Sequence, residues 1–306
     1  MQGGERYNSI SNYLKKEFGR KTVKLSIDAG FTCPNRDGSK GYGGCAFCSG
    51  GGSGELAAHL TDDGSSISAS ISEQIDRLSD KWPNACYLAY FQSFTNTYAP
   101  ADVLRERFYA ALNDPRISGI AIATRPDCLD DNVLCLLEEI NSDHFMWVEL
   151  GLQSIHEDTL KAMNTCYTVS DYDRAVSSLT ERGIRVVTHL ILGLPGETQE
   201  MMIESLMHVC SRPLFGIKLH LMNIIKTSPL YEAMPDYIPF GSIEEYVDLV
   251  VRCLEIIPPD VTIHRLTGDV PRKLLISPEW SYKKRTILNA INRELALRDT
   301  YQGSAI

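Results

Sequence analysis

The chain has 306 residues, nine cysteines and a formal net charge of −9, with 43% hydrophobic and 23% charged residues. This composition excludes wholesale disorder, and the length allows one large domain or two smaller ones whose core needs no disulfide staples. The polar start MQGGERYNSI, the odd cysteine number and the shortness of every apolar run argue against a secreted disulfide scaffold and a membrane span, so a cytoplasmic protein with reduced thiols is expected.

After a basic N-terminal segment, residues 23–27 read as a strand that runs into a Gly-rich cysteine loop. Residues 67–78 form an amphipathic helix, 85–91 a buried strand, and 100–112 a helix with Pro100 and Asp102 near its start. A strand at 119–123, a helix at 131–140 and a strand at 145–150 follow. Helices at 157–163 and 172–181, the second stopped by Gly183, lead to a strand at 186–192. The chain continues with a helix at 199–210, a strand at 216–222, a helix at 243–256, a strand at 261–266 and a helix at 286–297. Strands that are apolar on both faces, alternating with helices, predict a parallel sheet covered by helices. Polar residues gather just after the strands, where barrel enzymes place their chemistry.

The charge is uneven. Residues 1–24 carry six Lys/Arg against two Asp/Glu, and residues 265–298 carry eight against three. The middle, 25–264, holds 16 basic and 33 acidic residues. Either the basic ends are solvated helix faces, or they converge on one patch for a polyanion.

The cysteines are uneven too. Cys33, Cys45 and Cys48 share the stretch CPNRDGSKGYGGCAFCSGGGSGE, while Cys86, Cys128, Cys135, Cys166, Cys210 and Cys253 are scattered and expected as small core residues. Three thiolates on one loop can bind a metal or a cluster. A structural zinc site wants a fourth ligand, and His59 is the nearest imidazole. A [4Fe–4S] cluster held by three cysteines keeps one iron open for chemistry. Glycines from Gly38 to Gly54 let the backbone wrap tightly around an inorganic core.

CPNRDGSKGYGGCAFC resembles the cluster loop of the radical S-adenosylmethionine (radical SAM) enzymes, and its long first spacing is similar to the branch containing the Elongator catalytic subunit and the YtqA/YhcC family. KLSIDAGFTCPNRDG, YFQSFTNTYAP, ATRPDCL, VELGLQSIHEDTL, THLILGLPGET, GIKLHLMNIIKTSPL and HRLTGD resemble segments of the YtqA/YhcC family in the same order. The stretch HRLTGDVPRKLLISPEW is closer to the YtqA side. Members coupled to wobble-uridine modification have been called MnmL.

The resemblance implies a partial (β/α)6 TIM-type barrel over residues 23–240, with an N-terminal extension over 1–22 and a C-terminal extension over 241–306. It implies a [4Fe–4S] cluster on Cys33, Cys45 and Cys48, with S-adenosylmethionine on the open iron. Phe47 either packs near adenine or only fills the loop. Gln92, Ser93 and Thr95 stand where many relatives carry a Gly-Gly-Glu-type segment for the methionine amino group. Glu149 and Gln153 match positions that reach the ribose or methionine, and Gly193 matches a close approach near adenine. Glu197 either joins that segment or starts a helix. One departure is clear: relatives often read Asn-Arg-x-His where this chain has Asn164-Thr165-Cys166-Tyr167, so Lys161, Arg125 and Lys218 are the candidates to pair with the cofactor carboxylate.

The resemblance also implies tRNA wobble-uridine chemistry, at the step from 5-carboxymethylaminomethyl-(2-thio)uridine to the 5-aminomethyl form. Lys218, His220, Arg125 and Tyr98 are then expected at the barrel mouth, with Lys226, His264 and Arg265 beside them. Expected partners are tRNA and an electron donor such as flavodoxin or ferredoxin. The rival readings are a radical SAM enzyme acting on a small molecule or protein, and a metal-binding regulator without turnover.

Overall fold

The structure, a computed structural model, describes residues 5–52 and 67–306. In chain order the elements are α1 (Ile10–Phe18), β1 (Thr22–Ile27), α2 (Ile67–Ser79), β2 (Cys86–Phe91), α3 (Ala101–Leu112), β3 (Ile117–Thr124), α4 (Asp131–Asp143) and β4 (Met146–Gln153). They continue with α5 (Glu157–Ala162), α6 (Val169–Thr180), β5 (Arg185–Leu192), α7 (Gln199–Cys210), β6 (Gly216–Leu221), β7 (Ile224–Ile225) and α8 (Pro229–Ala233). The last are α9 (Ile243–Ile256), β8 (Thr262–Arg265), β9 (Leu275–Ser277), a 3-10 turn at Glu279–Tyr282 and α10 (Lys284–Leu297).

Seven strands pair in parallel in the order β1-β2-β3-β4-β5-β6-β8, and the sheet curls into a half-barrel. The expected six-stranded series is therefore extended by β8, which pairs with β6 from within the segment read as the C-terminal extension. Side-chain alternation along each strand divides two environments. Leu25, Ile27, Ala89, Phe91, Ile120, Ile122, Val148, Leu150, Leu190, Ile217 and Leu219 face the surrounding helices in the main core. Fully burying each large aliphatic side chain there contributes about 1.5–3 kcal/mol. The helices meet them with apolar stripes, such as Ile287, Ile291 and Leu295 of α10.

The inner face corrects the expectation of strands apolar on both sides. Near the strand starts it is apolar, with Leu88, Ala121, Trp147 and Val187 packed on Leu14 of α1. Tyr13 and Phe18 meet Phe215 and Phe145 edge-on at 5.0 and 5.1 Å, so α1 plugs this end of the half-barrel. That helix went unpredicted, although its signals are local: Ser9 caps it by accepting from the Asn12 amide, and Gly19 ends it in the left-handed region. Further along, the inward positions turn polar.

The two ends of the chain meet. Ser9 bridges Ile263, the Asn8 amide donates to Gln302 Oε1 at 2.8 Å, and Arg6 Nη1 donates to the Thr300 carbonyl at 3.0 Å. The predicted boundaries hold to within a few residues. α6 begins three residues earlier than expected because Thr168 and Asp171 form a capping box. Of the six scattered cysteines, Cys86 and Cys253 are buried, Cys128 and Cys210 are half-buried, and Cys135 and Cys166 are exposed, which corrects the core reading for the last two.

Candidate active site at the strand carboxyl ends

β1 delivers the chain into the cysteine loop, which folds back over the open end of the half-barrel. Its turns are local: the Cys33 carbonyl accepts from the Arg36 amide at 2.8 Å, and the Cys45 carbonyl accepts from the Cys48 amide at 2.9 Å. Other elements anchor it. The Ala46 amide donates to the Met163 carbonyl, and the Ala46 carbonyl accepts from the Leu230 amide, each at 2.9 Å. Asn164 Nδ2 donates to the Gly44 carbonyl at 2.8 Å, while Asn35 Nδ2 donates to the Asn164 carbonyl and, at 3.5 Å, to Cys45 Sγ. The segment that departs from the family pattern thus clamps the loop through Asn164. Gly54 and His59 lie outside the described residues.

Cys33, Cys45 and Cys48 all line one cavity of about 260 Å³. A Cys48 hydrogen bond and burial push the Cys45 thiol well above its ordinary range, so a bound metal is needed to hold it as a thiolate. Among the described residues no three His, Cys, Asp or Glu side chains close tightly enough to hold a single ion. The donor set therefore fits a polynuclear cluster, whose irons take one cysteine each, better than a mononuclear site.

Arg125 stands beside these thiols. Its Nε and Nη2 donate to the two Asp127 oxygens at 2.9 Å each, and its guanidinium lies 5.0 Å from the Tyr167 ring centroid. Lys40 holds Asp127 from the other side at 2.7 Å. Burial opposes the Arg125 charge, but Asp127, then Cys33 and Cys45, outweigh it and raise its pKa. Its Nη1 is buried without a partner among the described residues.

The floor of the cavity is a buried polar layer. Gly151, His189, Lys218 and Arg265 are successive partners across β4, β5, β6 and β8. Glu149, fully buried, accepts from Tyr90 Oη at 2.7 Å, Trp147 Nε1 at 2.9 Å, His189 Nε2 at 3.0 Å and Lys218 Nζ, with Lys24 Nζ 3.8 Å away. Burial opposes its ionisation, yet Lys218, Lys24 and His189 outweigh burial and hold its pKa well below the usual carboxylate range. Burial, with Lys24 and Arg265 adding to it against Glu149, drives the Lys218 ammonium well below its ordinary value. Burial and then Lys218 push His189 down to about 4, and burial with nearby cations also lowers His220 and His264. These imidazoles are neutral at physiological pH.

Most expected site residues meet in this cavity: the three cysteines, Phe47, Gln92, Thr95, Arg125, Glu149, Gln153, Lys218 and His220 all line it. A bulge between Gly151 and Gln153 turns the glutamine side chain, and a Cβ at Gly151 would lie 2.6 Å from its Nε2. Glu149 departs from its expected use, because both oxygens are already engaged by the chain's own donors.

Five expected residues are not among the lining side chains: Lys226 is exposed beyond β7, His264 packs against Trp147 and Phe215 at the strand starts, and Tyr98, Ser93 and Gly193 lie elsewhere. Tyr98 Oη is bonded to Ser39 Oγ at 2.6 Å, Ser93 is buried away from the cavity, and Gly193 faces Phe240, whose ring would lie 2.7 Å from a Cβ there. Lys161 is exposed and also away from the cavity. Glu197 accepts from Ser154, and Thr198 rather than Glu197 caps α7. Sequence reading missed Arg36, Tyr90 and His189 as lining residues. The last two are inward-facing positions on β2 and β5 whose strand neighbours at two-residue spacing are apolar, so periodicity gave no signal for them.

Known proteins show the same pattern. A family model for the radical SAM superfamily matches residues 33–209, and one for the Radical_SAM C-terminal domain matches residues 215–296. YtqA of Bacillus subtilis is 44% identical over 300 residues, covering 98% of this chain and 92% of that protein. YhcC of Escherichia coli is 35% identical over 309 residues, covering 100% and 97%. Elongator complex protein 3 of Schizosaccharomyces pombe is 30% identical over 178 residues, which are 55% of this chain and 31% of that longer protein. Among solved structures, Methanocaldococcus infernus Elp3 lacking its N-terminus matches with a TM-score of 0.68 at 16% identity, over 92% of this chain and 64% of that one.

Proposed function

The chain belongs to the radical SAM superfamily, and from that membership we propose that it modifies the tRNA wobble uridine, at the step from 5-carboxymethylaminomethyl-(2-thio)uridine to the 5-aminomethyl form. Enzymes of the superfamily use a [4Fe–4S] cluster and S-adenosylmethionine, which together supply abstraction of a hydrogen atom from substrate. In this reading the hydrogen comes from the carboxymethyl carbon next to nitrogen; that carbon, after giving up one further electron, would be an imine that water cleaves to the 5-aminomethyl base and glyoxylate, with S-adenosylmethionine as the net two-electron oxidant. The observation that carries it is that the three thiols and a strongly charged floor share one cavity.

Cys33, Cys45 and Cys48 would hold the cluster, and Phe47, Gln92, Thr95 and Gln153 would line the S-adenosylmethionine. Arg125 would pair with the cofactor carboxylate. Of the three candidate cations, Lys161 lies away from the cavity and Lys218 is tied to Glu149, whereas Arg125 keeps a free Nη1 beside the thiols.

The resemblance to the Elongator branch supports the tRNA part of the reading, as do the basic residues that follow the cavity-lining Gly268, Asp269 and Val270. Exposed Arg272, Lys273, Lys283 and Arg285 would contact phosphates, while the wobble base flips out of its stack into the cavity. A flavodoxin or ferredoxin in the cytoplasm would supply the electron. Nucleoside analysis of tRNA from a deletion strain tests the proposal. Accumulated 5-carboxymethylaminomethyl nucleoside with lost 5-aminomethyl product is expected, and unchanged levels of both would refute it.

A further inference from the structure

The cavity floor holds more positive charge than its own carboxylates neutralise. Lys24 and Lys218 share the single carboxylate of Glu149. Among the described residues Arg265, on the adjacent strand, pairs only with Asp269 at 3.6 Å, and that carboxylate is already taken by Lys284 at 2.7 Å. Lys218 is 2% exposed and Glu149 is fully buried, so that pair is poorly screened, while the Lys24 and Arg265 side chains, 27% and 28% exposed, keep partial access to water. Burial is the main cause of the lowered Lys24 and Lys218 pKa values, and the cations' mutual repulsion adds to it. The neutral histidines cannot compensate. His220, stacked 5.0 Å from His189, lines the cavity with a buried Nε2 that has no partner among the described residues. Buried surplus charge is relieved either by deprotonating a lysine, the direction in which Lys24 and Lys218 are pushed, or by an arriving anion, and Arg265 beside the unpartnered His220 Nε2 is where an anion can be held.

We propose that this floor is a receptor for one carboxylate of the substrate, contacted by Arg265 and His220, with Lys218 and Lys24 supplying positive potential from beneath. The inference rests on the radical SAM reading of the cavity and deepens it by naming the substrate group that the floor selects. A guanidinium pairs with a planar carboxylate through two parallel hydrogen bonds, and a neutral imidazole donates a third. A carboxylate held there fixes its neighbouring carbon within the cavity that the thiols line. Glu149 is the base of the receptor: it pins Lys218 and orients His189, and its own oxygens face no ligand.

The test compares binding of the purified enzyme, at one salt concentration, to two tRNAs that differ only at the wobble uridine. One carries the 5-carboxymethylaminomethyl group and the other the 5-aminomethyl group. The wild-type enzyme should bind the carboxylate form roughly ten- to hundredfold more tightly, the range for hydrogen bonds to a charged group. Arg265→Met should abolish the preference by weakening the carboxylate form while the ammonium-bearing aminomethyl form is not weakened, and Arg265→Lys should keep part of it. His220→Gln, which keeps a polar side chain, should reduce the preference as a second, independent variant. Equal binding of both tRNAs by the wild type, equal weakening of both by Arg265→Met, or a preference surviving in both Arg265→Met and His220→Gln overturns the inference and leaves the tRNA reading standing. Binding of neither tRNA overturns that reading itself.

Discussion

Replacing Arg125 by Met tests the assignment of the cofactor carboxylate. Arg125 is 7% exposed, and its fork is fixed by two 2.9 Å bonds to Asp127, so Nη1 is preorganised and pays little entropy on binding. A charge-assisted hydrogen bond in such a site contributes about 1.5–3 kcal/mol, which corresponds to a roughly ten- to hundredfold loss of S-adenosylmethionine affinity in the variant. The assay is equilibrium binding to anaerobically reconstituted protein, run in parallel with the decarboxylated analogue of the cofactor. Wild-type protein should prefer the intact cofactor, and Arg125→Met should bind the two alike while its analogue affinity stays at the wild-type value. The substitution also strands Asp127, but Lys40 still pairs with it, so the variant should fold with reduced stability. Arg125→Lys keeps the charge without the bidentate fork and should fall between the two. Equal loss of affinity for both ligands would show that Arg125 only shapes the loop, and no loss for either would refute the assignment outright.

Other expectations follow from the same geometry. Glu149→Gln removes the carboxylate shared by Lys24 and Lys218 and should destabilise the fold by about 3–5 kcal/mol in thermal or urea unfolding, with Lys218→Met added in the same chain recovering part of that loss. Cys45→Ala should lose iron and reductive formation of 5′-deoxyadenosine while keeping its far-UV circular dichroism, whereas Cys135→Ser, on an exposed helix position, should keep both the iron and the turnover. Stability should fall with acidification. His189 titrates near 6.5 when unfolded but only near 4 when folded, so between these values the unfolded chain binds more protons, at about 1.4 kcal/mol per pH unit. His189→Gln should make the urea-derived stability shallower by roughly one proton between pH 6 and 5, and an unchanged slope would contradict the buried, neutral assignment.

The residues that specify the fold act locally or at short period, which is why they could be read in order along the chain. Thr198 and Ser242 stand at helix starts, and Gly183 follows the end of α6 in the left-handed region that glycine tolerates. The alternation of apolar strands with helices carried the parallel sheet, and the three clustered cysteines carried the cluster loop. Their spacing is a covalent property of the chain and needs no knowledge of packing.

The tertiary structure alone decided what each polar residue is for. Whether Glu149 faces a ligand or the chain's own cations depends on which strands lie beside β4, and β6 brings Lys218 there from 69 positions away. The burial of Arg125 and Lys218, the exposure of Lys161 and the pairing of Lys218 with Glu149 likewise depend on the tertiary structure. The two basic ends look alike in the sequence, but α1 packs at the strand starts while residues 268–270, next to Arg272 and Lys273, line the cavity. Charge is written residue by residue, but whether it is compensated is set by neighbours in space, so the positive surplus at the cavity floor became visible only once the sheet had curled.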